Sequence, residues 1–171
     1  MSVAFFDLDR TILSKNSGAL WVRSELQGGH IGPGFALKAM AWMGLYHLGY
    51  AEFDRPIRLA VARMRGVAER EVLERTELFY ERSVRALVRP GARRAIAEHR
   101  ARGEQLVLLT SSSNYLSDRF VEQLSLDAAL CNRFELDPEG CYTGELVEPI
   151  CFGPGKVLHA QRFADAQGAR L

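Results

Sequence analysis

Two short, largely apolar runs in this sequence each end directly in a polar cluster. Val3–Phe6 is followed by Asp7 and Asp9, and residues 105–109 are followed by hydroxyl side chains at residues 110–113. A short β-prone run that is apolar on both faces is typical of a strand in a covered parallel sheet. Two carboxylates at such a strand end need a cation or solvent, because burial without a partner is costly. The pattern predicts a functional site at the ends of two strands.

The predicted elements alternate between strands and helices. Residues 14–88 are helical in pattern, most clearly from Ala68 to Val88, where apolar residues recur at steps of three and four. That stripe consists of Val72, Thr76, Phe79, Tyr80, Val84 and Leu87. The alternation predicts an α/β fold, a doubly wound parallel sheet with an all-helical insertion after the first strand. We expect a core of residues 1–13 and 89–171 and a helical cap of residues 14–88.

The second half of the sequence supplies the remaining elements. We expect helices at residues 92–102 and 114–124 and a third strand at 128–131. Residues 133–147 alternate around an Asp-Pro-Glu-Gly turn, which predicts a β-hairpin. A last helix opens at Gly153-Pro154-Gly155-Lys156.

Composition excludes several classes of function. The 171 residues are 47% hydrophobic, which is enough for one substantial core, and the formal net charge of +1 gives no field that favours nucleic acid. Cys131, Cys141 and Cys151 lack the paired spacing of a zinc site and follow no secretory signal. We therefore expect reduced thiols in a cytoplasmic protein that does not bind nucleic acid.

One segment, Phe35 to Tyr50, is apolar enough to raise the question of membrane insertion. Lys38 and His47 interrupt it, and it is shorter than the roughly 20 residues that a spanning helix needs. We expect a buried or partner-facing helix there, with a membrane or oligomer role as the alternative, because Trp42 and its apolar neighbours are costly to expose.

The polar clusters have the composition of a phosphoryl-transfer site. With Mg²⁺ bound to the Asp7 carboxylate and to a backbone oxygen at Asp9, Asp7 can attack phosphorus while Asp9 handles the leaving-group proton. The Thr110 hydroxyl and the backbone N–H of Ser111 can hold phosphate oxygens. Lys156 can supply the positive charge.

Each of these residues also has a purely structural interpretation. Asp7 and Asp9 are a helix cap and a turn residue in that interpretation, and residues 110–113 cap the next helix. A lone lysine such as Lys156 is most often a solvated surface charge. The order of the three features along one chain favours the functional interpretation.

The run Phe6-Asp7-Leu8-Asp9-Arg10-Thr11-Ile12 resembles the D-x-D-x-T signature of the haloacid dehalogenase superfamily. Thr110 after the second strand and Lys156 at a helix start follow in the order of that family. The helical insertion resembles the cap of subfamily IB, the branch that includes phosphoserine phosphatase.

The resemblance implies a Mg²⁺-dependent phosphatase of small phosphorylated metabolites. Asp7 is then the nucleophile that forms an aspartyl-phosphate, and Asp9 is the general acid and later the general base. Thr110 and Ser111 hold the phosphate, and Lys156 stabilises the intermediate. Asp7 and Asp9 also hold the metal.

The sequence departs from the family pattern in two places. The acidic pair that follows a further strand in the family is absent, so we expect a fragment of a longer protein, with a degenerate, non-catalytic phosphate- or partner-binding module as the alternative. Nine residues after Asp7 stands Asn16, where phosphoserine phosphatases have a glutamate, so phosphoserine is not the favoured substrate. Glu25 and Arg23 are the candidates for contact with a different leaving group.

Overall fold

A three-stranded parallel sheet forms the centre of the molecule. The computed structural model describes residues 2–47 and 54–169. The strands are β1 (Val3–Phe6), β2 (Gln105–Ser113) and β3 (Ala128–Asn132), with β2 in the middle. The side chains of Leu106, Val107 and Leu108 are almost completely buried, as expected for a central strand covered on both faces. The predicted α/β fold class and the three strands are confirmed, although β2 extends four residues beyond its predicted end.

Three helices of the core pack against the sheet. They are α5 (Pro90–Ala101), α6 (Asn114–Leu124) and α7 (Pro154–Ala166). Helix α6 is amphipathic and buries Leu116, Phe120 and Leu124 in the main core, which matches an apolar stripe at steps of three and four residues. These helices confirm the predicted ones within one or two residues at each end.

The segment of residues 14–88, named here the helical segment, contains α1 (Ser17–Gln27), α2 (Pro33–His47), α3 (Asp54–Ala62) and α4 (Glu69–Phe79). The prediction of one continuous helix over residues 68–88 was wrong in its second half. A π-helical turn over Tyr80–Val84 and a 3-10 turn over Arg85–Leu87 follow α4. The stripe is nevertheless buried, because the change of winding keeps Tyr80 and Val84 in the same core as Phe79.

The two ends of the helical segment pair with each other. Leu13 and Val88 form an isolated antiparallel bridge, and the backbone N–H of Ser14 donates to the carbonyl of Leu87 at 3.0 Å. The predicted boundaries at 13/14 and 88/89 fall at this bridge and stay a prediction of domain organisation. Residues 48–53, within the predicted cap, and 170–171, within the predicted core, lie outside the described residues.

A β-hairpin joins the helical segment to the core. Strands β4 (Phe134–Leu136) and β5 (Tyr142–Leu146) are antiparallel, which confirms the predicted hairpin. The N–H of Glu69 donates to the carbonyl of Gly140 at 2.9 Å, so the hairpin turn extends to the start of α4. Aromatic contacts link Phe134 and Tyr142 to Tyr115 of α6.

Helix α2 contains most of the apolar segment Phe35 to Tyr50, whose last three residues lie outside the described residues. Met43 is buried, whereas Leu37 is 74% exposed, so the helix is apolar on both its inner and its outer side. Within residues 2–47 and 54–169, no helix is long and apolar enough to cross a membrane.

Helix α7 begins unusually close to the chain that precedes it. A Cβ atom on Gly155 would lie 1.9 Å from the carbonyl oxygen of Ile150. This is a contact with rigid backbone and not with a flexible side chain, so no rotamer change can relieve it. Only glycine fits at the second position of α7, directly before Lys156.

We predict that Gly155→Ala destabilises the protein by about 1–3 kcal/mol, because the start of α7 must shift to relieve the overlap. Chemical denaturation measures the change. Gly34→Ala is the matched control, since Gly34 also follows a proline at a helix start and a Cβ there meets no atom within 4 Å. Equal stability of the two variants would contradict the predicted clash.

Candidate active site

The side chains of Asp7 and Lys156 meet at the carboxyl end of β1. Lys156 Nζ lies 2.6 Å from Asp7 Oδ1, across 149 residues of sequence. The Asp7 side chain is 41% exposed and that of Lys156 is 27% exposed. Both groups are therefore reachable from solvent, and the anionic carboxylate lies directly beside a cation. The predicted nucleophile and the predicted positive charge are thus in contact.

The turn after β1 determines where the two aspartates point. The N–H of Ile12 donates to the Asp7 carbonyl at 3.3 Å, and the N–H of Leu13 donates to the Leu8 carbonyl at 2.9 Å. Arg10 has a φ of 60°, the left-handed conformation that side chains rarely adopt. Leu8, Ile12 and Leu13 are fully buried. Their burial anchors this strained turn, so the position of Asp9 relative to Asp7 is fixed.

Asp9 is held at the beginning of α1. Its Oδ1 accepts from the N–H of Ser17 at 2.6 Å, and its Oδ2 accepts from Asn16 Nδ2 at 3.4 Å. Burial raises the pKa of the Asp9 carboxyl and the neighbouring Asp7 raises it further, while the Ser17 hydrogen bonds and Lys156 oppose the rise. With a raised pKa, the carboxyl keeps its proton to higher pH than a solvated aspartate, which suits a proton donor.

The hydroxyl cluster after the second apolar run lies on a bulged strand end and not on a loop. Leu109 pairs with Leu130 and Ser113 pairs with Asn132, so four steps along β2 correspond to two steps along β3. The extra residues form the bulge, a device that redirects side chains at functional sites. The expectation that β2 ends at residue 109 was therefore wrong.

The hydroxyls of this bulge have different surroundings. Thr110 is buried, and its Oγ1 accepts from the N–H of Ser112 at 3.2 Å. Ser111 is half-buried. Ser113 is the N-cap of α6 and accepts from the N–H of Leu116. The capping interpretation therefore holds for Ser113.

Thr110 and Ser111 lie close to the strand end that carries Asp7. Phe6 of β1 pairs with Leu108 of β2, and Thr110 and Ser111 follow Leu109 by one and two residues.

Asn132 is a site residue that sequence reasoning missed. It lies at the end of β3 and is 4% exposed. Its Nδ2 donates to the Ser111 carbonyl and its Oδ1 accepts from the N–H of Cys151, both at 2.8 Å. One buried amide thus ties the bulge to the loop that leads into Lys156. The sequence did contain a signal for it, because Asn132 directly follows the third apolar run, just as Asp7 directly follows the first.

A cavity of about 310 Å³ lies between the helical segment and the core. Ser17 of α1 and Ser112 and Ser113 of β2 are among the polar residues that line it. Glu25 and Arg75 also line it, joined by an ion pair of 3.1 Å with side chains 10% and 21% exposed. Of the two residues predicted to contact a leaving group, Glu25 lines the cavity and Arg23 does not.

The oxygen donors of the site fit Mg²⁺. This ion prefers oxygen ligands and usually keeps several waters, with one or two carboxylates and a substrate phosphate. The half-exposed Asp7 carboxylate is such a donor. Both carboxylate oxygens of Asp9 already accept hydrogen bonds, which leaves its main-chain carbonyl as the second donor. In the part of the chain that the structure describes, no group of three or more His, Cys, Asp or Glu side chains is arranged to hold a metal.

Comparison with known proteins identifies the family. The family described as haloacid dehalogenase-like hydrolase matches residues 4–171. The "Inhibition of morphological differentiation protein" of Streptomyces azureus is 28% identical over 173 residues, which cover 99% of this chain and 62% of that protein. A probable phosphatase of Mycobacterium tuberculosis is 27% identical, over 99% of this chain and 60% of that protein. The chain thus spans about three fifths of the length of these two relatives.

Two solved structures have the same fold. A protein of unknown function from Bordetella pertussis Tohama I superposes with a TM-score of 0.85 at 22% identity, over 99% of this chain and 77% of that one. A substrate-bound phosphoserine phosphatase superposes with a TM-score of 0.73 at 19% identity, over 99% and 73% of the two chains. The resemblance inferred from Asp7, Asp9, Thr110 and Lys156 is confirmed at the level of the family. The chain belongs to the haloacid dehalogenase-like hydrolase family.

Proposed function

We propose that this protein hydrolyses phosphate monoesters of small metabolites through a covalent intermediate on Asp7. The observation that carries the proposal is the 2.6 Å contact between the exposed Asp7 carboxylate and Lys156. A carboxylate in this position can attack phosphorus, and the adjacent ammonium reduces the repulsion between two anions. The family membership and the phosphatase names among the relatives support the same reaction class.

The reaction proceeds in two steps. An Asp7 oxygen bonds to phosphorus and the ester P–O bond breaks, while Asp9 donates its proton to the departing alkoxide. Water then attacks the phosphorus of the aspartyl-phosphate, Asp9 takes up the water proton, and the bond to Asp7 breaks to release phosphate. The raised pKa of Asp9 suits the first proton transfer, and its hydrogen bond from Ser17 orients it.

Lys156, Thr110 and Ser111 hold the phosphoryl group in this scheme. Lys156 neutralises one phosphoryl oxygen, and the bulge at the end of β2 offers the Thr110 hydroxyl and the Ser111 N–H. Mg²⁺, held by the Asp7 carboxylate and the Asp9 carbonyl, would neutralise further negative charge when bound. We further propose that the helical segment acts as a cap over the site and that the protein works in the cytoplasm.

A second candidate is a phosphate- or partner-binding module without catalysis. The observation behind this binding module is that, among the described residues, no three acidic, histidine or cysteine side chains lie close enough together to hold a metal ion. The two candidates differ in turnover and not in fold. The variants below therefore distinguish them by activity of the natural full-length protein.

Asp7→Asn should reduce kcat for p-nitrophenyl phosphate with Mg²⁺ by about a thousandfold or more, because an amide cannot form the acyl-phosphate. Asp118→Asn, an exposed change on α6, is the control and should retain full activity. Equal rates in Asp7→Asn and the parent protein would exclude Asp7 as the nucleophile. Absence of turnover in the parent protein would favour the binding module.

Asp9→Asn should slow hydrolysis of alkyl phosphates by roughly 10²–10⁴-fold, because a poor leaving group needs the donated proton. p-Nitrophenolate leaves without that proton, so the aspartyl-phosphate still forms rapidly. Its hydrolysis is slowed, because an amide at this position cannot take up the proton of the attacking water. Rapid-mixing experiments with p-nitrophenyl phosphate should show a burst of one equivalent followed by a slow phase. Unchanged steady-state rates on alkyl phosphates would rule out the proposed role.

Asn132→Ala should lower kcat/KM by misplacing the bulge and the loop before Lys156. The lost bonds leave the half-buried Ser111 carbonyl and the buried Cys151 N–H without this partner, and the buried N–H alone costs about 1–3 kcal/mol. Enzyme kinetics and denaturation together test this. Asn114→Ala, which removes a side-chain oxygen that has no partner among the described residues, is the control. Unchanged kcat/KM in Asn132→Ala would show that the tie does not position the site.

A further inference from the structure

The cavity beside the site is predominantly apolar in its walls. Its lining includes Phe35, Ala39 and Met43 of α2, Val61 of α3 and Phe79 of α4. At about 310 Å³ it has the size of a small ligand pocket. A substrate with a strongly polar leaving group would need hydrogen-bonding groups along these walls.

The cavity adjoins the proposed catalytic centre through Ser17 and Ser112, although none of the proposed catalytic residues lines it. Ser17, which lines the cavity, donates its N–H to Asp9 Oδ1 at 2.6 Å. Ser112, also in the lining, directly follows the proposed phosphate-binding residues Thr110 and Ser111. A phosphate bound at Asp7 would therefore extend its ester group into the cavity.

The charged side chains that line the cavity neutralise each other. Glu25 and Arg75 form an ion pair in which both side chains are largely buried. A charged leaving group that displaced either member of this pair would leave a buried charge without its partner, which is strongly unfavourable. Arg75 Nε has no hydrogen-bond partner among the described residues, so it is the one charged-group donor in the lining that the pair leaves open. An uncharged leaving group keeps the pair intact.

Resting on the function proposed above, we propose that the substrate is a phosphate monoester whose leaving group is uncharged and predominantly apolar, such as a medium-length alkyl chain. The outer side of α2 adds a second observation, since Leu37, Met40 and Leu45 are exposed on the helix whose inner side lines the cavity. The same alkyl phosphate chemistry can come from free solution or from a lipid layer in contact with this surface.

Two measurements on the natural full-length protein test the proposal. The first is kcat/KM for ethyl, butyl and hexyl phosphate compared with O-phosphoserine. The second is calorimetric binding of the corresponding alkylphosphonates, which cannot be hydrolysed. Each added methylene should improve both quantities by about fourfold until the cavity is full. A flat series, or a preference for O-phosphoserine over hexyl phosphate, would overturn the proposal.

The two measurements separate this inference from the proposed function. If no monoester is hydrolysed but phosphonate affinity rises with chain length, the apolar site stands and the catalytic proposal fails. If all monoesters are hydrolysed at similar rates, the catalytic proposal stands and the apolar site fails. Absence of phosphonate binding also overturns the apolar site.

A matched pair of variants locates the effect. Ala39→Phe fills the cavity from α2 and should remove the gain between butyl and hexyl compounds. Ala41→Phe places the same ring on the exposed side of the same helix and should leave the gain unchanged. Loss of the gain in both variants, or in neither, would contradict the assignment to this cavity.

A final comparison identifies the source of the substrate. Dodecyl phosphate is supplied either as monomers or within phosphatidylcholine vesicles, with glycerol phosphate as the polar reference. Hydrolysis of dodecyl phosphate faster than that of glycerol phosphate, in either form, supports the apolar leaving group. The form that is hydrolysed faster identifies whether the substrate comes from free solution or from a lipid layer. Failure of both forms to exceed the reference would overturn the apolar leaving group.

Discussion

The ion pair between Asp7 and Lys156 at the centre of the site exists only because the fold brings these two distant residues together. A half-exposed pair of this kind stabilises a protein by only about 0–1 kcal/mol, so it cannot hold the fold together. The fold instead holds the pair together. The parallel pairing of β1 with β2 brings the strand ends to one edge, Gly155 lets α7 start close to the preceding chain, and Asn132 ties that chain to β2.

The sequence was sufficient to predict what depends on local pattern. Short, largely apolar runs predicted the three parallel strands. Asp7 and Thr110, which directly follow two of these runs, predicted a functional site at the strand ends. Lys156 was predicted from its place in the order of features along the chain and from the family resemblance. Two of these residues, Asp7 and Lys156, are in contact, and the catalytic roles of all three stay proposals. Local patterns succeeded because strand burial and helix starts are properties of a few adjacent residues.

The remaining features depend on contacts between distant segments and were not visible in the sequence. The bulge near Thr110 is defined by a mismatch with β3, and Asn132 acquires its role only because Cys151 lies opposite it. The π-helical turn after α4 places Tyr80 and Val84 in the main core, a contact that the local sequence does not reveal. The pairing of Glu25 with Arg75 joins α1 to α4 across 50 residues. Nothing in the sequence near Glu25 or Arg75 predicted that the two side chains would form an ion pair.

The geometry shows what Asn16 does at the position where the resemblance to phosphoserine phosphatases led us to expect a glutamate. Asn16 is the N-cap of α1, accepting from the N–H of Ala19 at 2.8 Å, and it also donates to Asp9. It therefore orients the proposed acid and offers no carboxylate to the leaving group. The carboxylate nearest in sequence that lines the cavity, Glu25, is already neutralised by Arg75. A substrate with an apolar leaving group would displace water from these walls, and its burial would strengthen the interactions of Asp7, Asp9 and Lys156 with the phosphoryl group.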